Sequence, residues 1–132
     1  MENDPQATDR TNQPFREEVY RVVGFAIEII NTVGPGLDVE TYENALIVEL
    51  QAAGIPFVRK KTYPVLYKDF QIGEVAPVLV AHDCVLIEPM ICERITHRDR
   101  ARMMNMLNIT GARVGLLVNF AQPRLEWERI VV

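Results

Sequence analysis

The stretch from Glu74 to Met90, EVAPVLVAHDCVLIEPM, reads as two short apolar strands joined by a polar turn at His82–Asp83. The second strand holds a single carboxylate, Glu88. Around it stand Val, Leu, Ile, Pro and Met. A lone carboxylate in so apolar a hairpin calls for a partner or a function.

Working outward, Phe15–Val33 has Val19, Val22, Val23, Ala26, Ile27, Ile30 and Val33 at three- and four-residue steps, which predicts a helix with one apolar stripe. GPG at 34–36 stops it. A second helix is expected from Val39 to Ala53, with Tyr42, Ala45, Leu46, Val48, Leu50 and Ala53 on one side and Gly54 as its stop. Extended segments follow over 57–67 and 70–81, turning at Lys68–Asp69. Pro64 and Pro77 argue for edges or bulges there. Arg59, Lys60 and Lys61 are read as guarding an exposed strand edge. A strand over 84–91 precedes a third helix over 96–110, capped by Thr96 and stopped by Gly111. The continuous apolar run RVGLLVNF (113–120) predicts a buried strand, and the alternating RLEWERIVV (124–132) a half-exposed one. The order α-α-β-β-β-α-β-β predicts an α/β fold, a mixed β-sheet flanked by helices.

A chain of 132 residues suits one domain, assigned to 15–132, with residues 1–14 read as a flexible tail. That N-terminal stretch is polar and acidic, without the basic start and apolar core of a secretory signal. The net charge of −4 gives no global attraction to nucleic acid or an anionic membrane, and no apolar run approaches the roughly 18 residues that span a bilayer. Cys84 and Cys92 match no metal spacing and are read as small apolar core residues in a reducing, cytoplasmic setting.

Several blocks in order resemble one family, the GxxExxY proteins of the PD-(D/E)XK nuclease-like superfamily: VVGFAIEIINTVGPGL (22–37), YENAL (42–46), LQAAGIPFVRKKTYPVLYKDFQIGE (50–74), NITGARVGLLVNF (108–120) and the closing RIVV. The resemblance implies a PD-(D/E)XK nuclease-like core. It also implies a Mg²⁺ site built from a strand Asp, the Glu of E-x-K on the next strand and a helical Glu, with the Lys beside the reacting phosphate. The motif residues depart from that pattern. Gly36 and Tyr42 hold their places, but Val39 stands at the Glu position. Glu40 is roughly 100° further round a helix and is no substitute. Val78 stands at the strand Asp, Glu88 keeps its place, and Met90 replaces the Lys. Arg102 replaces a Gln on the third helix. Asp83 falls in the turn, and no Lys follows Lys68.

The expectation is a catalytically inactive member of the fold with no metal and no cofactor, acting as a self-assembling or partner-binding module. A homo-oligomer through strand edges or the methionine-bearing helix (Met103, Met104, Met106) is its assembly. The alternatives are a Mg²⁺-dependent nuclease with displaced ligands and a non-cleaving nucleic-acid binder. Arg98 and Arg100 are the candidate nucleic-acid contacts, against a reading of that helix face as simply solvated. Glu28 is read as a structural hydrogen-bonding group, and His82 and His97 as turn and helix-start residues. Glu88, if buried without its metal, needs a partner. Arg102 is expected to bind it through two parallel hydrogen bonds in a pocket lined by Val39, Val78 and Met90.

Overall fold

Helix α1 (Arg16–Val33) buries Val19, Val22, Val23, Ala26, Ile29 and Ile30. The computed structural model describes residues 15–132, so the tail expected over 1–14 lies outside the described residues. Ile27 was expected in the buried stripe and is exposed; Ile29 takes its place. The buried face centres on Ala26. Ile27 is roughly 100° round from it, Ile29 only about 60° in the other direction. Val33 lies in the last turn and is also exposed. Gly34 adopts φ 74°, which suits a residue without Cβ, and its N–H reaches the Ile30 carbonyl at 3.0 Å. Helix α2 (Val39–Ala52) buries Tyr42, Glu43, Leu46 and Leu50. Val48, expected on that side, is exposed, roughly 200° from Leu46.

Both long extended segments break in two. They give β1 (Phe57–Arg59), β2 (Tyr63–Tyr67), β3 (Phe70–Val75) and β4 (Leu79–Ala81), so five strands rather than three precede the last helix. The first break falls at Lys60, whose φ is 50°. The second holds Pro77, which donates no ladder hydrogen bond and restricts the residue before it. Strands β2 and β3 form a separate two-stranded hairpin whose register shifts between Val65 and Leu66, just past Pro64. Its turn residues Lys68 and Asp69 both have positive φ, as do His82 and Asp83 between β4 and β5 (Val85–Met90). In the two-residue Lys68–Asp69 loop such a pair of positive φ angles matches the right-handed strand twist, while the β4–β5 loop has a third residue, Cys84.

The five-stranded sheet has the order β1-β4-β5-β6-β7, with β6 spanning Val114–Asn119 and β7 Glu126–Val131. Only β5 and β6 run parallel; α3 (His97–Thr110) makes the crossover between them. Helices α1 and α2 pack on one face of the sheet, over Leu79, Ile87, Leu116 and Val118. Helix α3 covers the other face, through Met103 and Leu107 over Val80, Leu86 and Leu117. This is the mixed α/β sheet between helices that the pattern predicts. Cys84 and Cys92, expected in the core, are both free and only half-buried.

Tyr42 ties the GPG turn to the core. Its hydroxyl donates to the Gly34 carbonyl at 2.6 Å and accepts from the Leu37 N–H at 3.2 Å. Its ring stacks on Phe120 at 4.6 Å between centroids. Helix α3 starts on a capping box: Thr96 Oγ1 accepts from the Asp99 N–H, while Asp99 Oδ2 accepts from the Thr96 N–H at 2.9 Å.

Candidate functional site

Along β5, Leu86, Glu88 and Met90 point toward α3, because strand side chains alternate. Glu88 opens into a cavity of about 110 Å³ between β5, the segment entering β4, and α3. Val78, Arg102, Met103 and Met106 share its lining. Helix α3 presents Arg102 there. Its Nη2 donates to Glu88 Oε2 at 2.5 Å, and its Nη1 donates to Asp99 Oδ1 at 3.3 Å.

This geometry differs from the expected one in three ways. Arg102 makes one hydrogen bond to Glu88 rather than two, because Asp99, one helical turn earlier, takes the other side of the guanidinium. The pair is wet: the Glu88 side chain is 24% exposed and Arg102 48%. Of the three apolar replacements, only Val78 lines the cavity. Met90 packs into the cluster beneath α3. Val39 is exposed at the start of α2, the helix covering the opposite face of the sheet.

Charges in the site follow from these contacts. For Arg102, burial works to lower the pKa, but the charge and hydrogen bond of Glu88, with help from Asp99, hold it above its ordinary value. The Asp99 carboxyl is held below the usual range, first by the Thr96 backbone N–H and also by the Thr96 hydroxyl and Arg102. Burial pushes the nearby Cys92 thiol up, and the charges of Asp99 and Glu126 add to this.

A hard dication asks for several oxygen ligands in near-octahedral array. Here the one strand carboxylate is occupied by a guanidinium, and Val78 offers no oxygen. Among the described residues no group of three or more His, Cys, Asp or Glu side chains could hold a metal ion. The residues present therefore do not fit Mg²⁺. Asp83 stays in its exposed turn.

The other candidates scatter. Arg100 Nε donates to Glu128 on β7, and Arg98 is exposed one residue into α3. Met103 is core, Met106 half-buried and Met104 exposed. His97 begins α3 exposed, while His82 is half-buried in its turn. Glu28 is exposed and its side chain makes no hydrogen bond among the described residues, so the structural role expected for it is not seen.

Two polar features were not anticipated from the pattern. Buried Glu43 accepts from Arg59 Nη2 at 3.0 Å, linking α2 to the sheet-edge strand β1. Buried Asn119 donates to the Cys92 carbonyl and to Glu126 Oε1, each at 2.9 Å, and accepts from the Cys92 N–H at 3.1 Å. It thereby pins the chain leaving β5. Asn119 was signalled as a polar residue inside an apolar run, whereas Glu43, between Tyr42 and Asn44, had no such signal.

The mixed sheet, the α3 crossover and the carboxylate on β5 facing that helix define a nuclease-like α/β fold. The chain belongs to the PD-(D/E)XK nuclease superfamily, whose family model matches residues 16–130. No curated protein and no solved structure matches it. Among the described residues no helix is long and apolar enough to cross a membrane.

Proposed function

We propose that the protein is a catalytically inactive member of the superfamily, of the GxxExxY type, working in the cytoplasm as a self-assembling or partner-binding module with residues 15–132 as its one domain. The observation that carries this is the Glu88–Arg102 contact: a guanidinium stands against the one motif carboxylate that remains. The absence of oxygen ligands at Val39 and Val78, and of a lysine at Met90, supports the same reading. So does Tyr42, which serves the GPG turn and the core.

The test is incubation of purified protein with single- and double-stranded DNA and with RNA, in Mg²⁺ and in Mn²⁺. No cleavage above that of Glu88→Ala is expected. Cleavage that needs a divalent ion and disappears in Glu88→Ala would overturn the reading. Light scattering at high micromolar concentration tests assembly, and a dimer or larger mass is expected.

A further inference from the structure

A cleft of about 330 Å³ opens where α1 meets the start of β7, on the sheet face opposite the Glu88–Arg102 pair. Ile27, Ile30 and Leu125 give it apolar walls, Trp127 adds an indole ring, and Asn31 and Arg124 supply polar groups. Trp127 packs against the core and meets Tyr20 edge-to-face, with ring centroids 5.7 Å apart. Its plane is therefore set before anything enters the cleft.

The polar groups of this cleft are unspent. The Asn31 side chain is exposed and makes no hydrogen bond among the described residues. Arg124 forms no salt bridge among them, and the lining holds no carboxylate. The acids that follow Arg124 in the chain are engaged across the sheet: Glu126 accepts from the Ile95 N–H and from Asn119, and Glu128 accepts from Arg100. Glu28 of α1 lines the groove toward α2 instead. Arg129, two residues beyond Trp127 and on the same side of β7, has Nε and Nη2 buried without a hydrogen-bond partner. This face is thus locally positive in a chain of net charge −4.

A partly apolar cleft with a few convergent polar groups has the form of a ligand site, and its volume lies near the small end of the usual range of about 300–1,000 Å³. That suits one ring system with its attached group. Each lining group asks for a different part of such a ligand. An indole stacks on a planar ring. A guanidinium takes an anion through charge-assisted hydrogen bonds. A carboxamide offers a donor and an acceptor side by side, which matches the edge of a nucleobase and has no counterpart on a simple aryl acid.

We infer that the α1–β7 cleft binds a nucleoside monophosphate, with the base against Trp127, its edge on Asn31 and its phosphate on Arg124. The unanswered charge of Arg129 favours the phosphate from further along the strand. The site is separate from the Glu88–Arg102 pair, and its occupancy does not depend on whether that pair is catalytic.

Trp127 is the only tryptophan in the chain, so its fluorescence reports on the cleft directly. The experiment is titration of the full chain with AMP, adenosine and ribose 5-phosphate, following that emission. AMP should change it saturably. Adenosine, which lacks the anion, and ribose 5-phosphate, which lacks the ring, should each bind at least about tenfold more weakly. Arg124→Gln should weaken AMP by about tenfold and leave adenosine unchanged, while Asn31→Leu should weaken both alike. Both positions are exposed, so the variants are expected to fold, which circular dichroism checks. No saturable change with AMP at millimolar concentration would overturn the inference, as would AMP binding that neither substitution alters. Adenosine or ribose 5-phosphate binding as tightly as AMP would overturn the assignment of a nucleotide.

Discussion

Arg102 Nη2 stands 2.5 Å from Glu88 Oε2, joining the middle of α3 to the strand that would carry the catalytic carboxylate of a nuclease. Water reaches both partners, so the pair resembles a surface ion pair more than a buried one. Arg102→Ala should cost about 1 kcal/mol in urea denaturation, and Arg98→Ala less. A loss of ~3 kcal/mol or more would mean that Glu88 is stranded in a dry cavity.

Gly115 on β6 faces Met103 at close range. A Cβ built on Gly115 would lie 2.4 Å from Met103 Sδ and 2.6 Å from its Cγ. Met103 is buried and can yield only toward the Glu88 cavity that it lines, at the expense of its contacts over β6. Gly115→Ala should destabilise the fold by about 1–3 kcal/mol. The double variant with Met103→Ala should lose less than the sum of the two singles, because the clash is gone; simple additivity in chemical denaturation would refute the coupling.

Tyr42→Phe keeps the ring on Phe120 and removes the hydroxyl. The Gly34 carbonyl and the Leu37 N–H then lose a partner together. The expected cost is about 1–3 kcal/mol, with faster hydrogen exchange at Leu37. Unchanged exchange there would show that the turn holds without Tyr42.

The α3 capping box has a pH signature. The folded-state pKa of Asp99 is lowered, chiefly by the Thr96 backbone N–H. Its stabilisation is therefore fully present above the unfolded carboxylate pKa of about 3.9 and is lost as pH falls through the lower folded value. Wild type should exceed Asp99→Asn in stability at neutral pH, and the gap should close in that acid window. Thr96→Ala should cost about 1 kcal/mol at pH 7. A gap between wild type and Asp99→Asn that does not narrow at all as pH falls below the unfolded carboxylate pKa would rule out this linkage.

Much of the molecule could be read from neighbouring residues. Gly34 and Gly111 stop helices because each takes a positive φ that a Cβ would disfavour, and Thr96 begins α3 because its hydroxyl reaches the Asp99 N–H three residues on. The continuous apolar run of β6 marks a strand covered on both faces. The apolar residues at Val39, Val78 and Met90 are equally plain in the chain. Each of these depends on interactions a few residues long, or on composition alone.

Other features required distant parts of the chain to meet. No local pattern distinguishes Ile27 from Ile29; the sheet beneath α1 selects the buried one. The extended segments broke because β1 pairs with β4, leaving β2 and β3 to pair only with each other. Glu88 and Arg102 are fourteen residues apart, and a resemblance could name them as partners. Asp99, one turn before Arg102 on the same helix, could be read from local spacing; that the pair would stay partly exposed followed only from how α3 lies across β5. Side-chain geometry of that kind is set by the packing of whole elements, which the order of residues along each one does not contain.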